Sequence, residues 1–193
     1  MNIFLLIVAI YSYILGSIPF GLILIKLFLN EDIRNIGSGN IGATNVLRTG
    51  KKTLAASTLC FDILKGFIAV YITSIFFPEH IYFAATLCLL GHIFPIWLKF
   101  KGGKGVATYI GIIFALSLKL GIIFGLIWII TASISRYSSL SSVLSTLIVF
   151  IFSFFFENLA LSIFLFNAFV IIVFTHKQNI VRLKNKSESK IKF

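Results

Sequence analysis

Charge is scarce in this 193-residue chain, with Asp, Glu, Lys and Arg making up only 12% of it. Soluble domains carry about 25% charged and about 45–50% apolar residues. Here the apolar share is 59% and the mean hydropathy +1.04. That excludes a soluble globular domain, a disordered chain and a nucleic-acid-binding domain. Acids are the scarcest group, 6 against 17 Lys+Arg, which leaves little material for carboxylate-based metal chemistry, and no metal is expected. The net charge of +11 in such a chain points to cytoplasmic loops. Cysteine is scarce too. Cys60 and Cys88 lie in apolar runs at no metal-ligand spacing, and both are expected as small buried hydrophobes.

What the chain has instead is a series of long apolar runs. A spanning helix needs about 20 mostly apolar residues, and 3–28, 53–77, 80–98, 139–156 and 158–175 qualify. The stretch 105–134 reads either as one long helix or as two short ones turning near Ser117–Lys119. Loop charge decides between them. With two short helices, 15 of the 17 basic residues fall on one side, leaving Lys119 opposite and Lys65 within a span. With one long helix, the basic C-terminal end would lie across the membrane from the other basic loops. The first run lacks the basic start and early small-residue site of a cleaved leader, so it is expected to stay. The expected fold is an all-α integral membrane protein with about seven transmembrane helices. Its N-terminus would lie outside and its C-terminus in the cytoplasm, and the two helices of 105–134 would be short. Residues 1–183 form one expected domain, and 184–193 an expected disordered basic tail.

Three segments on the basic side are too polar and glycine-rich to be plain connectors. The first runs Asn35-Ile-Gly-Ser-Gly-Asn-Ile-Gly-Ala-Thr-Asn-Val-Leu-Arg48 and the second Lys101-Gly-Gly-Lys-Gly-Val-Ala-Thr108. Glycine turns let backbone N–H groups converge on an anion, and a helix starting directly afterwards adds its positive dipole end. Ser38, Gly39, Asn40, Gly42, Thr44, Asn45 and Arg48 would line one phosphate nest. Lys101, Gly102, Gly103, Lys104 and Gly105 would line the other. One such loop alone reads as ordinary loop glycine with inside-positive charge; the pair, with its added hydroxyls and amides, reads as phosphate binding. The literal Gly-x-Gly-x-x-Gly at Gly37–Gly42 is not a dinucleotide fingerprint, because no strand precedes it. Gly103-Lys104-Gly105 lacks the hydroxyl residue that follows a P-loop lysine.

The third segment is His176-Lys-Gln-Asn-Ile-Val-Arg182. If the helix continues there, His176, Asn179 and Arg182 share one face. They make either a catalytic set or a polar helix end. A weaker fourth segment runs from Arg136 to Ser142. Inside the apolar runs, Asp62 and Lys65 are three residues apart and can pair. Intramembrane charges suggest function, and a structural ion pair is the other reading. His92 is expected as a packed, hydrogen-bonded histidine.

Taken together, these segments resemble the bacterial acyl-phosphate:glycerol-3-phosphate acyltransferases, the PlsY family. The resemblance rests on Gly37–Arg48, Lys101–Thr108 and His176 with Asn179 and Arg182. Phe61–Gly66, Gly91–Pro95 and Arg136–Ser142 also match, so the likeness runs from about residue 12 to 183. It implies transfer of a fatty acyl group from acyl phosphate to the sn-1 hydroxyl of glycerol 3-phosphate, giving lysophosphatidic acid and inorganic phosphate. It also implies a multi-pass protein of the bacterial plasma membrane with its site at the cytoplasmic face. No cofactor is needed, and a soluble acyl-phosphate synthase is a transient partner. By the same resemblance Ser142, His176 and Asn179 are catalytic, Ser38, Arg48 and Lys104 contact phosphate, and Asp62, Lys65, His92, Arg136 and Arg182 support them. The alternative is a small transporter or channel for a phosphorylated solute. That class usually shows inverted repeats and midplane sites, which this chain lacks. A histidine followed five positions on by aspartate would mark acyl-CoA or acyl-carrier-protein chemistry. Here His80, His92 and His176 are followed at that position by Ala85, Trp97 and Val181.

Overall fold

A computed structural model describes residues 3–191. All regular structure among the described residues is helical, in two compact units that divide between Leu116 and Ser117. The first unit holds α1 (Ile3–Ser17), α2 (Phe20–Leu29), α3 (Ala43–Val46), α4 (Lys52–Phe76), α5 (Ile81–Ile93) and α6 (Val106–Leu116). The second holds α7 (Leu118–Ser135), α8 (Ser138–Phe156), α9 (Leu159–Thr175) and α10 (Lys177–Lys184).

In the first unit α4 packs on α6 and α1 on α5. Both pairs touch through glycine. A Cβ at Gly66 would stand 2.3 Å from the Thr108 carbonyl oxygen, one at Gly111 1.9 Å from that of Ile63, and one at Gly16 2.1 Å from that of Cys88. Backbones this close suit lipid, where hydrocarbon tails remove the hydrophobic drive between helices and leave van der Waals packing to hold them. Large apolar side chains face outward instead, Ile134 at 81% and Phe155 at 70% exposure among them. Pro19 supplies no N–H, and the apolar stretch Ile3–Leu29 is interrupted beside it, between α1 and α2.

Among the described residues five stretches are long and apolar enough to cross a membrane, and there are six if α9 with α10, bent by 61°, counts as one span. The 105–134 region is two helices, broken at Ser117, whose hydroxyl accepts from the Leu120 N–H and caps α7. Only the first of the two is short, since α7 reaches 18 residues. The 11 residues of α6 extend about 16 Å, roughly half of a 30 Å hydrocarbon core. Cys60 departs from expectation. It is exposed, whereas Cys88 is buried. Cys60 lies on the outward face of α4 beside Leu59 and Phe61, which are exposed as well, and an apolar thiol loses little there against lipid.

Candidate active site

The first glycine turn rests on a small apolar core of Ile25, Ile33, Ile41, Val46 and Ala55. Its shape comes from one side chain. Asn45, buried on α3, accepts from the Ser38 N–H at 2.9 Å and from the Ser38 hydroxyl at 3.2 Å. Its amide nitrogen donates to the carbonyls of Ile33, Ile36 and Asn40 at 3.2, 2.8 and 2.8 Å. Asn45 therefore spends its hydrogen-bonding capacity on the turn itself. Two further amides are also used internally, Gly39 donating to the Ile36 carbonyl and Gly42 to Asn40 Oδ1, both at 3.0 Å. Thr44 is exposed on α3, which is a single turn with little dipole to offer.

Arg48 supplies the charge. Its side chain lies along Gly37, where φ is +54°, and a Cβ there would stand 2.8 Å from Arg48 Cδ and 2.5 Å from Asn45 Oδ1. Any side chain at Gly37 would push Arg48 off the turn. Ser38 is exposed beside it. At the entry, hydrogen bonds from Arg34 hold the Asp32 carboxyl down at about 2.

The second turn is anchored differently. The N–H groups of Gly102 and Gly103 donate to the carbonyls of Ile93 and His92, each at 3.0 Å. Lys101, exposed, gives its N–H to the Leu98 carbonyl. The turn is thus laid on the end of α5. Gly105, at φ +87°, turns the chain into α6, whose first helical bond runs from the Tyr109 N–H to the Gly105 carbonyl. The amides of Val106, Ala107 and Thr108 precede that bond, so the α6 start carries both its dipole and the half-buried Lys104. Under the turn, Lys65 Nζ lies 2.7 Å from Asp62 Oδ1, and His92 Nδ1 3.7 Å from the same oxygen.

In the second unit, His176 closes α9 and opens α10. Its Nδ1 is 2.8 Å from the Ile172 carbonyl oxygen. A carbonyl only accepts, so Nδ1 carries a proton. Ser142 gives its proton to the Ser138 carbonyl at 2.8 Å and accepts from Trp128 Nε1 at 3.2 Å. Arg136 sits in the left-handed turn that ends α7, and its carbonyl accepts from the Ile191 N–H.

One residue that composition alone did not single out gathers the rest. Glu188 accepts from Asn179 Nδ2 at 2.6 Å, Arg182 Nε at 2.7 Å and the Ser139 hydroxyl at 2.8 Å. Burial pushes its pKa up, but these three hydrogen bonds outweigh burial and hold it below the usual range. Asn179 and Arg182 do share a face, and a carboxylate from the chain beyond α10 ties them together. The only sequence signal for it was an acid in an otherwise basic tail.

The helices and polar turns define a class: a multi-pass membrane protein with glycine turns and basic side chains gathered at its helix ends. Comparison with known proteins narrows that class. A family model described as glycerol-3-phosphate acyltransferase matches residues 6–186, and the chain belongs to that family. A glycerol-3-phosphate acyltransferase of Pelagibacter ubique is 56% identical over 187 residues, 97% of each chain. One of Bradyrhizobium diazoefficiens is 49% identical over 189 residues, 97% of this chain and 96% of the relative. Among solved structures, the glycerol 3-phosphate form of PlsY (YgiH), an integral membrane glycerol 3-phosphate acyltransferase, superposes with a TM-score of 0.93. It is 36% identical and covers 97% of this chain and 96% of its own. The lysophosphatidic acid form gives 0.89 at 34% identity, covering 97% and 95%. The protein is an acyltransferase of the membrane.

Proposed function

We propose that this acyltransferase moves a fatty acyl group from acyl phosphate to the sn-1 hydroxyl of glycerol 3-phosphate. The products are lysophosphatidic acid and inorganic phosphate. The observation that carries the acceptor is the likeness to a solved acyltransferase in its glycerol 3-phosphate form over 97% of this chain. The donor follows from chemistry. Acyl phosphate is a mixed anhydride with a good leaving group, so positioning and charge neutralisation supply most of the acceleration without a covalent intermediate.

The hydroxyl oxygen attacks the carbonyl carbon, the bond from that carbon to the phosphate oxygen breaks, and the hydroxyl proton ends on the departing phosphate. Arg48 offers phosphate a two-pronged contact, and Lys104, with the α6 start, a point charge and amides. Ser38 spends its proton on Asn45, so its lone pairs face outward as acceptors for a substrate hydroxyl. His176, its Nδ1 held by the Ile172 carbonyl, is assigned to orient the attack. Asn179 and Ser142 are assigned to the reaction as well, with Arg136 and Arg182 in support.

The same reading sets seven crossings, an outer N-terminus, a cytoplasmic C-terminus and a site at the cytoplasmic face of the bacterial inner membrane. Residues 1–183 then form the acyltransferase domain and 184–193 its basic tail. Two facts support this. Lys119 Nζ lies 3.8 Å from Glu157 Oε1, so two charges placed outside by this reading share one end of the α7–α8 hairpin. The shortness of α6 is met if the second glycine turn dips below the membrane surface, where the head of an apolar donor arrives. A soluble acyl-phosphate synthase would hand over that donor.

Two experiments test the proposal. Purified protein in detergent should release phosphate from acyl phosphate only when glycerol 3-phosphate is present, and acyl-CoA should not substitute; equal turnover with acyl-CoA overturns the donor. Single cysteines at Ser117 and Ser187 should label from opposite sides; labelling from one side overturns the seven crossings.

A further inference from the structure

Among the described residues, the interior of the first unit holds an acid, a lysine and a histidine that the chemistry above does not use. Asp62 and Lys65 of α4 and His92 of α5 are 2%, 3% and 4% exposed. Ionisable groups at such depth are expensive and seldom kept without a use. Lys65 Nζ binds Asp62 and also donates to the Ile18 carbonyl at 2.7 Å, in the break between α1 and α2. The histidine points the other way. A Cβ on Gly103 would stand 2.1 Å from His92 Nε2, and one on Gly102 2.1 Å from the His92 carbonyl oxygen. That carbonyl already takes the Gly103 N–H. The imidazole is thus the floor of the second glycine turn, one residue before Lys104.

We infer that Asp62, Lys65 and His92 form a positioning device for the second turn, and that they set how tightly it holds a substrate phosphate. The inference rests on the acyl-transfer reading. Contact runs from the Ile18 carbonyl through Lys65 to the Asp62 carboxylate, from there to the His92 ring, and from the ring to Gly103. Lysine fixes the carboxylate, the carboxylate faces Nδ1 and sets the ring, and the ring sets the height of Gly103. Lys104 and the first amides of α6 follow from that height. All three are buried beneath the turn. An ion pair that only held α1, α4 and α5 together would need no histidine against Gly103. A histidine that only filled space would need no buried carboxylate behind it.

The test is a split between KM and kcat in purified Asp62→Asn and His92→Gln, with each substrate varied while the other is saturating. Thr73→Val serves as the structural comparator, because it removes a buried hydroxyl that bonds Tyr11 and the Ala69 carbonyl, in the same unit but away from the turn. Both positioning variants should raise KM for one of the two phosphate substrates about tenfold or more, with kcat within about threefold of wild type. Thr73→Val should lower thermal stability and leave both KM values alone. Unchanged KM values, with activity falling only in step with folded protein, overturn the inference. A second pair covers variants that fail to fold. Gly103→Ala alone should show the same KM defect, and Gly103→Ala combined with His92→Ala should recover part of it, since the ring that the methyl strikes is gone. No recovery overturns the inference. A wild-type protein inactive with acyl phosphate and glycerol 3-phosphate would fail the acyl-transfer reading instead, a result these variants do not mimic.

Discussion

The two glycine turns look alike in sequence and are held by opposite means. In the first, Asn45 makes five hydrogen bonds to the loop around it. In the second, backbone bonds hold the loop. Its backbone is pinned to the end of α5, above a buried carboxylate, lysine and histidine. A glycine pattern says that the backbone comes close to something. Whether that is a ligand or the protein's own chain depends on partners distant in sequence.

The sharpest way to break the comparison is at Asn45. Asn45→Ala takes away the side-chain donor to the Asn40 carbonyl, leaves those of Ile33 and Ile36 with a backbone donor each and releases Ser38, and an unsatisfied buried group costs about 1–3 kcal/mol. Activity should fall more than about a hundredfold. Asn45→Asp should do no better, because a carboxylate would face those three carbonyls without a proton to give. Both follow from kcat/KM beside a thermal-shift assay. An active Asn45→Ala would mean that the first turn is held by something other than this amide.

Arg48→Ala and Lys104→Ala come next. Each should remove a hydrogen bond to a charged group worth about 1.5–3 kcal/mol, which is about a tenfold to hundredfold loss in kcat/KM. Arg48→Lys should recover little if the contact is two-pronged, and Lys104→Arg should recover some activity if a point charge suffices. Losses below about twofold in both alanine variants would reduce these residues to topology charges.

Much of this was legible in the sequence, and what escaped it did so for physical reasons. Apolar length alone located the runs at 3–28 and 53–77 to within a residue of Ile3–Leu29 and Lys52–Phe76. The helix starts at Ala43 and Val106 follow their glycines as expected. The sequence alone makes Asn45 a phosphate ligand, because an asparagine in a glycine turn carries no mark of which way its amide points. Glycines 102 and 103 were read as anion donors, yet their amides answer to α5, and only folding brings α5 to them. Glu188 went unread because a lone acid has no periodicity. It matters here because α10, bent away from α9, offers Asn179 and Arg182 to whatever the chain brings back.

Glu188 sharpens the comparison in the second unit, since it ties its neighbours as Asn45 does but through a group that titrates. Glu188→Gln leaves one acceptor oxygen in place of two and removes the charge facing Arg182. A loss of activity of about tenfold is expected, in keeping with one weakened charge-assisted bond. The pH dependence has a definite sign. The folded carboxyl is held below its ordinary value, so its stabilisation is full above the ordinary range near 4.3. It is lost as pH falls through that range toward the folded pKa. Wild-type thermal stability should therefore drop below about pH 4 more steeply than that of Glu188→Gln. Parallel curves would mean that the carboxylate ties nothing down.

The smallest effect belongs to Asp32, at the entrance of the first turn. Its carboxylate meets Arg34 Nη2 at 2.6 Å and accepts from the Arg34 N–H at 2.9 Å, and both side chains are well exposed. Arg34 holds the acid at about 2, so the pair is intact above the ordinary aspartate value near 3.9 and is lost as pH falls through about 2. Exposed pairs contribute little in water and are screened by salt. Asp32→Asn keeps an oxygen for the Arg34 N–H and removes only the charge, so kcat/KM should change less than about twofold, with no added sensitivity to salt. If Asp32→Asn instead lost activity on the scale of Asn45→Ala, the first turn would depend on charge as the second does, and the contrast between the turns would fail.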